Sequence, residues 1–390
     1  MPDAIVVGGG LVGCLAARAL GRAGLAVRLV ERRSDLGVEA STAAAGMLAP
    51  QMEAAEDLLV EVPGPRAGDA MLDLCLAARD GWAAFARKLE SDTGRPVHYR
   101  QDGTLVVALT PVEAGRLERS ATAQRGRGLR AEFLDGAAAR RLEPAVTGDA
   151  VAALLLPDDH QVDPLALMEA VEVAARSTPG IHVTTATRVR AILSEGGRVS
   201  GVVTEVGRIL TPRVVLAAGA WSGRLGGLPR TLPVRPVKGQ MAAVLPDRSP
   251  FRRVIGGRGA YCVPRDDGRV VIGATVEERG FDARVSPAEV DALVAMARDL
   301  VAGLNGAPVV SRWAGLRPGT LDSLPILGPD PDLDGLVYAT GHYRNGILLA
   351  PLTAACVAAA VAGGPMPVDL TPFAPNRPAL AGWAGSPTGR

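Results

Sequence analysis

The chain has 390 residues, 48% of them apolar and 21% charged, with a formal net charge of +1. That length and apolar content allow two packed domains, and the near-zero charge gives no electrostatic basis for a nucleic-acid or anionic-membrane partner. Glycine (47) and proline (30) stay below the level that marks disorder. Met1-Pro2-Asp3 runs straight into a first strand, which argues against a secretory leader. Cys14, Cys75, Cys262 and Cys356 form no Cys-x-x-Cys pair and read as buried thiols of a reducing compartment, the cytoplasm by default.

The first unit organises the rest. Ile5-Val6-Val7 is a short β-branched run, hence a buried strand. Gly8, Gly10 and Gly13 follow in Gly-x-Gly-x-x-Gly spacing, then apolar residues at helical period from Leu11 to Ala23, then a second strand, Ala26 to Val30, closing on Glu31. The glycines allow a tight turn, close approach of a pyrophosphate and close packing of helix on strand. The helix N-terminus favours the pyrophosphate charge, and Glu31 is placed to accept hydrogen bonds from an adenosine ribose. This unit predicts a dinucleotide site without deciding between NAD and FAD.

Ser41 to Glu53 is too rich in small residues to predict a helix; it is either backbone lying against a ligand or an ordinary loop. Helices are predicted over Ala67 to Leu89 and Pro111 to Arg125, with a strand at Gly103 to Ala108 between them. Asp158, Asp159, His160 and Asp163 resemble a metal cluster with no second half. Asp163 reads better as the N-cap, and Pro164 as the first residue, of a helix through Ala175. His182 to Val189 and Arg198 to Val206 are predicted strands of a meander, and Thr211 to Ser222 a strand of the nucleotide sheet. Tyr261 to Val276 reads as two strands around Asp266-Asp267-Gly268. Ser286 to Glu289 has the form of a capping box opening a helix that buries residues through Leu304. Ile347 to Gly364 carries no charge, but its alanines and Pro351 favour a buried core helix over a membrane span. The Gly-rich turn before it aims a helix N-terminus at something, and Arg344 beside it is a ligand residue or a surface cap.

Taken together, VVGGGLVGCLAA…LVE, STAAAGMLAPQ, DHQVDP, VVLAAGAWS, PVKGQ, YCVPR, GATV, WAGLRPGT and GHYRNGILLAP resemble the D-amino-acid oxidase family of flavoproteins, most closely its glycine oxidase branch. The resemblance spans nearly the whole chain. It implies an α/β fold: a Rossmann-like FAD-binding domain (1–88, 146–222 and 314–365) and a second α+β substrate domain on an antiparallel sheet (89–145 and 223–313), with a C-terminal tail at 366–390. It also implies non-covalent FAD, since no cysteine falls near Arg317, and no metal.

Position by position, the resemblance assigns FAD contacts to Gly8, Gly10, Leu11, Val12, Gly13, Glu31 and Arg32. It continues them through Ser41, Thr42, Ala44, Ala45, Gly46 and Met47, and to Val189 through its backbone. Ala218, Gly219 and Trp221 follow, then His342, Arg344, Asn345, Gly346, Ile347 and Leu348. Arg317 matches the arginine that pairs with the substrate carboxylate, Tyr261 a tyrosine bonding the same group, and Arg344 an arginine at the flavin edge. Met47, Gly259 and Val276 match pocket positions, the last two smaller than expected, which implies a wider pocket. The implied reaction takes the α-hydrogen of glycine, sarcosine or a small D-amino acid as hydride to the flavin. The imine hydrolyses to glyoxylate, oxygen is reduced to hydrogen peroxide, and the setting is thiamine precursor supply. The competing expectations are a D-amino-acid or sarcosine dehydrogenase passing electrons to another carrier, and a flavin-bound scaffold without turnover. The implied assembly is a homo-oligomer.

Overall fold

The computed structural model describes residues 1–59, 68–247 and 251–381. The predicted helix start at Ala67 and residues 382–390 of the expected tail lie outside the described residues.

Ala4–Val7, four consecutive buried residues, forms a central strand of a six-stranded sheet. Val27–Val30 and Ile181–Thr184 lie on one side of it, and Val214–Leu216, Leu336–Thr340 and Ile326–Pro329 on the other. Pairing is parallel except at the Ile326–Pro329 edge. Parallel strands need both faces covered, which explains their near-continuous apolar runs. One face carries the helices Leu11–Arg22, Gly68–Thr93, Pro164–Ser177 and Gly346–Ala362. The other packs against a three-stranded meander of Val189–Glu195, Arg198–Thr204 and Gly207–Leu210.

An eight-stranded sheet makes the second layer, with neighbours in the order Val309–Gly319, Arg235–Val244, Val270–Gly273, Ala260–Pro264, Val254–Gly257, Thr104–Ala108, Ala152–Leu156 and Glu132–Asp135. It is antiparallel apart from the Val254–Gly257 and Thr104–Ala108 pair. The helix Pro287–Leu300 packs on one face through Val290, Leu293, Val294, Ala297 and Leu300.

Asp163 caps its helix as expected, accepting from Leu165 N at 2.8 Å and Ala166 N at 3.3 Å. Its neighbours have separate structural work. Asp159, fully buried, accepts from Gln51 N and Met52 N at the start of Pro50–Leu59, and burial pushes its carboxyl up to about 7. His160 bonds Tyr99 and Asp158 pairs with Arg130. No group of three or more His, Cys, Asp or Glu among the described residues is placed to hold a metal. The charge-free C-terminal segment is a buried helix, Gly346–Ala362, and no described helix is long and apolar enough to cross a membrane.

Four expectations need correction. Ser41 to Glu53 takes in most of a short helix, Ala40–Ala43, and the first residues of Pro50–Leu59, the second capped by the distant Asp159. The His182 strand belongs to the parallel sheet, where it pairs with Val27–Val30; a break after Thr184 separates it from the meander. Ser286 makes no capping box: its N–H donates to Gln240 Oε1 and Glu289 accepts from Gln240 Nε2, so one buried amide replaces the pair. That helix ends at Leu300, with Val301 and Leu304 buried in the turn beyond.

The chain from 366 to 381 is fastened by Arg377, 8% exposed. Its Nε and Nη2 donate to the two oxygens of Asp322 at 2.7 and 2.9 Å, and Nη1 donates to Pro325 O at 2.9 Å. Burial alone would raise the Asp322 carboxyl, but the Arg377 hydrogen bonds and charge outweigh it and hold the group below its usual value. A depressed carboxyl stabilises the fold above its unfolded value, roughly pH 3.9, and the contribution is lost as pH falls further. Arg377→Ala strands that carboxylate and is expected to cost about 3–5 kcal/mol by urea unfolding at neutral pH. Arg198→Ala, which removes an exposed pair with Asp334, is expected to cost no more than about 1 kcal/mol. Equal losses in the two variants would contradict the buried-pair account.

Candidate functional site

Two cavities between the layers share Gly10, Ser41, Ala217 and Gly219 in their walls and together make a groove. The tight turn predicted from the glycine spacing makes that floor. A Cβ on Gly13 would lie 1.9 Å from Gly8 O, and one on Gly8 would lie 2.4 Å from Ala217 O. Strand, helix and neighbouring strand therefore touch backbone to backbone, which puts the N-terminus of Leu11–Arg22 on the groove. Ser41 Oγ accepts from Leu11 N at 2.9 Å and pins the small-residue stretch there.

One half of the groove is lined by Glu31, Arg32, Val189, Ala218 and Trp221. Glu31 is 9% exposed; its oxygens accept from Gly9 N at 2.6 Å and Arg33 N at 2.8 Å. Each oxygen keeps further lone-pair capacity for a hydroxyl in the groove. The Arg32 guanidinium stacks 3.6 Å from the Trp221 ring centroid, giving that end a flat wall.

The other half gathers Ala44, Ala45, Gly46, Met47, Gly259, Tyr261, Val276, Arg317, His342, Arg344, Asn345, Gly346 and Ile347 from both layers. Tyr261 and Arg317 reach it from the antiparallel sheet, each beside a glycine. Tyr261 stands opposite Gly273, where a Cβ would meet the ring at 2.4 Å. Arg317 stands opposite Val237, its guanidinium over Gly239. Tyr343 N donates to Pro318 O at 3.0 Å, tying the Gly-rich turn to the strand that carries Arg317. His342 is buried against Thr353, and burial pulls its imidazole down to about 4, so it is neutral near pH 7. Gly259 has no atom within 4 Å of where its Cβ would be, and Val276 is 57% exposed. That wall is open.

Three predicted cofactor positions lie off the groove wall. Gly13 makes the helix–strand contact, Thr42 Oγ1 donates to Gly37 O at 2.9 Å, and Leu348 is buried with its carbonyl accepting from Trp82 Nε1. Glu53 was missed: it accepts from Asn345 Nδ2 at 2.7 Å, and its other oxygen lies 3.6 Å from Arg344 Nε. A lone acid at the end of a small-residue stretch carries no local signal of a partner almost three hundred residues away.

The groove fits an elongated dinucleotide. An acid and a flat wall stand at one end, backbone without side chains and a helix N-terminus lie at the middle, and a second helix N-terminus at Gly346 stands at the far end. The chain matches the family described as FAD dependent oxidoreductase over residues 3–360. The crystal structure of glycine oxidase from Geobacillus kaustophilus superposes with a TM-score of 0.89 at 35% identity, covering 96% of this chain and 98% of that one. A glycine oxidase of Pseudomonas aeruginosa is 34% identical over 95% of this chain and 98% of its own length. A "Bifunctional protein ThiO/ThiG" of Synechocystis is 36% identical over 96% of this chain, which spans about half (54%) of that relative. With its groove, its two helix N-termini and this match along nearly its whole length, the chain belongs to the FAD-dependent oxidoreductase family.

Proposed function

We propose that the chain oxidises glycine and other small amines, sarcosine and small D-amino acids among them, with oxygen as electron acceptor and hydrogen peroxide as product. The observation that carries this reading is the convergence of Arg317 and Tyr261 at one end of the groove, beside the apolar Met47, Met241 and Ala274. A fork of donors against an apolar wall suits a small molecule with one carboxylate and little side chain. Relatives named glycine oxidase along nearly their full length support that substrate class. The bifunctional relatives support a place in thiamine biosynthesis.

In this reading Gly10 and the N-terminus of Leu11–Arg22 hold the pyrophosphate, and Glu31 takes the ribose hydroxyls. FAD, when bound, supplies the hydride acceptor. Arg317 grips the substrate carboxylate with two parallel hydrogen bonds and Tyr261 donates another, which fixes the direction of the α C–H bond. Arg344, held by Glu53, adds positive charge at the edge, and the N-terminus of Gly346–Ala362 would favour negative charge on a group bound against it. The amine must be neutral to become an imine, so turnover rises toward alkaline pH.

Acid precipitation of the purified protein is expected to release a yellow supernatant containing intact FAD; flavin left in the pellet would contradict non-covalent binding. Glycine and sarcosine are both expected to yield glyoxylate with consumption of oxygen and formation of peroxide. Faster turnover of L-leucine or L-glutamate than of glycine would sink the substrate assignment, and reduction without oxygen uptake would point to a dehydrogenase.

Charge-assisted hydrogen bonds in a largely dry site are worth about 1.5–3 kcal/mol each. Arg317→Ala is therefore expected to lower kcat/KM by roughly a hundredfold or more, much of it in KM, with FAD retained. Arg317→Lys keeps the charge but loses the fork and should recover only part. An alanine variant that loses FAD while keeping its glycine kinetics would show that Arg317 is a structural brace.

A further inference from the structure

The guanidinium of Arg317 lies in space that another residue leaves empty. A Cβ built on Gly239 would stand 2.3 Å from Nη2 and 2.4 Å from Cζ and Nη1. The strand Arg235–Val244 pairs with Val309–Gly319 so that Gly239 faces Gly315, two positions along from Arg317. The Arg317 side chain folds back diagonally across that bare patch of backbone. Nη1 then donates to two carbonyls, Thr275 O at 3.1 Å and Lys238 O at 3.4 Å.

Those two carbonyls belong to segments that are locked together. Lys238 N donates to Glu277 O at 2.9 Å and Glu277 N to Lys238 O at 3.0 Å. Gln240 N donates to Thr275 Oγ1 at 2.8 Å, and Thr275 N to Gln240 O at 3.3 Å. The Glu277 carboxylate closes the lock. Its Oε1 accepts from Thr275 Oγ1 and from Gln240 Nε2 at 2.8 Å, and its Oε2 faces Lys238 Nζ at 3.4 Å. Lys238 and Gln240 are buried, at 4% and 0% exposure, so this charged group sits in the body of the sheet. Burial alone would raise the Glu277 carboxyl, but the Thr275 and Gln240 hydrogen bonds and the Lys238 charge hold it below its usual value. A carboxylate only 12% exposed at its side chain and kept charged is a costly way to fasten one loop. Here it fastens the loop whose Thr275 carbonyl accepts from Arg317 Nη1.

We infer that Gly239 and Glu277 are positioning residues for Arg317: Gly239 by leaving room for its guanidinium, and Glu277 by clamping the two peptide carbonyls that accept from Nη1. The inference rests on the reading of Arg317 as the carboxylate-binding residue. A guanidinium anchored at Nη1 has its plane set before substrate arrives, so less freedom is lost on binding. An unanchored one keeps its charge but must be ordered at each encounter.

Gly239→Ala places a methyl group where the guanidinium tip lies. That tip is the end of a flexible side chain and can move aside, so the fold tolerates the change. Glu277→Gln keeps the volume and removes the charge. Both variants are made as FAD-loaded full-length protein, alone and in an Arg317→Ala background. The readouts are FAD content, acetate binding followed by the flavin absorption spectrum, and KM and kcat for glycine.

Each single variant is expected to keep its FAD, to weaken acetate binding and raise KM by about tenfold or more, and to change kcat much less. In the Arg317→Ala background either substitution is expected to add less than about twofold, because the group it positions is gone. Either variant showing this pattern supports the inference, so a folding failure of one leaves the other decisive. Wild-type acetate affinity in both folded variants would overturn it, as would equal losses with and without Arg317. A wild-type protein whose flavin spectrum answers neither acetate nor glycine would instead overturn the functional reading, and the inference with it.

Discussion

The structure depends on one contact between three stretches of bare backbone. Gly13 rests on the carbonyl of Gly8, and Gly8 on the carbonyl of Ala217, at separations that no Cβ could share. Because the first strand, the first helix and the neighbouring strand meet there without side chains, the helix N-terminus opens directly onto the groove. The backbone N–H groups that the helix offers an anion in the groove follow from that approach. Side chains at Gly8 or Gly13 would push the helix off the sheet, and the groove floor would go with it.

The groove's two ends meet opposite demands with different means. At the Glu31 end the acid is braced by backbone N–H groups, and Arg32 is laid flat on Trp221, so both are fixed before any ligand enters. At the Arg317 end Tyr261 and Arg317 come from the antiparallel sheet, and glycines across from or near them make the room: Gly273 for Tyr261, Gly239 for Arg317. A sheet is a rigid place from which to present them, and the wall at Gly259 and Val276 stays open.

What the sequence displays and what it hides divide along one physical line. The strand–glycine–helix–strand–acid unit is local, and each residue states its reason within a few positions; the fold reproduces it. Asp163 and Pro164 are equally local and open their helix as expected. The capping box at Ser286 was also a local reading, and it failed because Gln240, forty-six residues away, supplies both partners. Meanwhile Thr110 and Glu113 form a true capping box that the polar character of their helix concealed. The place of Tyr261 and Arg317 on the groove was legible through resemblance of their surrounding motifs, while Arg344 drew notice locally, beside the Gly-rich turn, as a ligand residue or a surface cap. Glu53 and Gly239 were illegible, since one matters for a partner across the fold and the other for the side chain it does not have.

The small-residue stretch from Ala40 to Ala49 makes the last link. Ser41 and Thr42 tie its start to Leu11 N and Gly37 O, but the alanines and glycine after them have no side chain with which to hold themselves. Its carbonyls are held from the other sheet instead: Trp313 Nε1 donates to Ala43 O at 3.0 Å, and Arg265 Nη2 donates to Ala45 O. Arg265 is itself buried, and burial draws its guanidinium down to about 10 despite Asp163 lying 3.7 Å away. Trp313 shares a strand with Arg317, and Arg265 follows the strand of Tyr261. The two strands that present Tyr261 and Arg317 therefore also fasten the small-residue stretch that lines the same half of the groove. A shift of the antiparallel sheet moves both together, so the facing walls of the Arg317 half of the groove are placed by the same few hydrogen bonds.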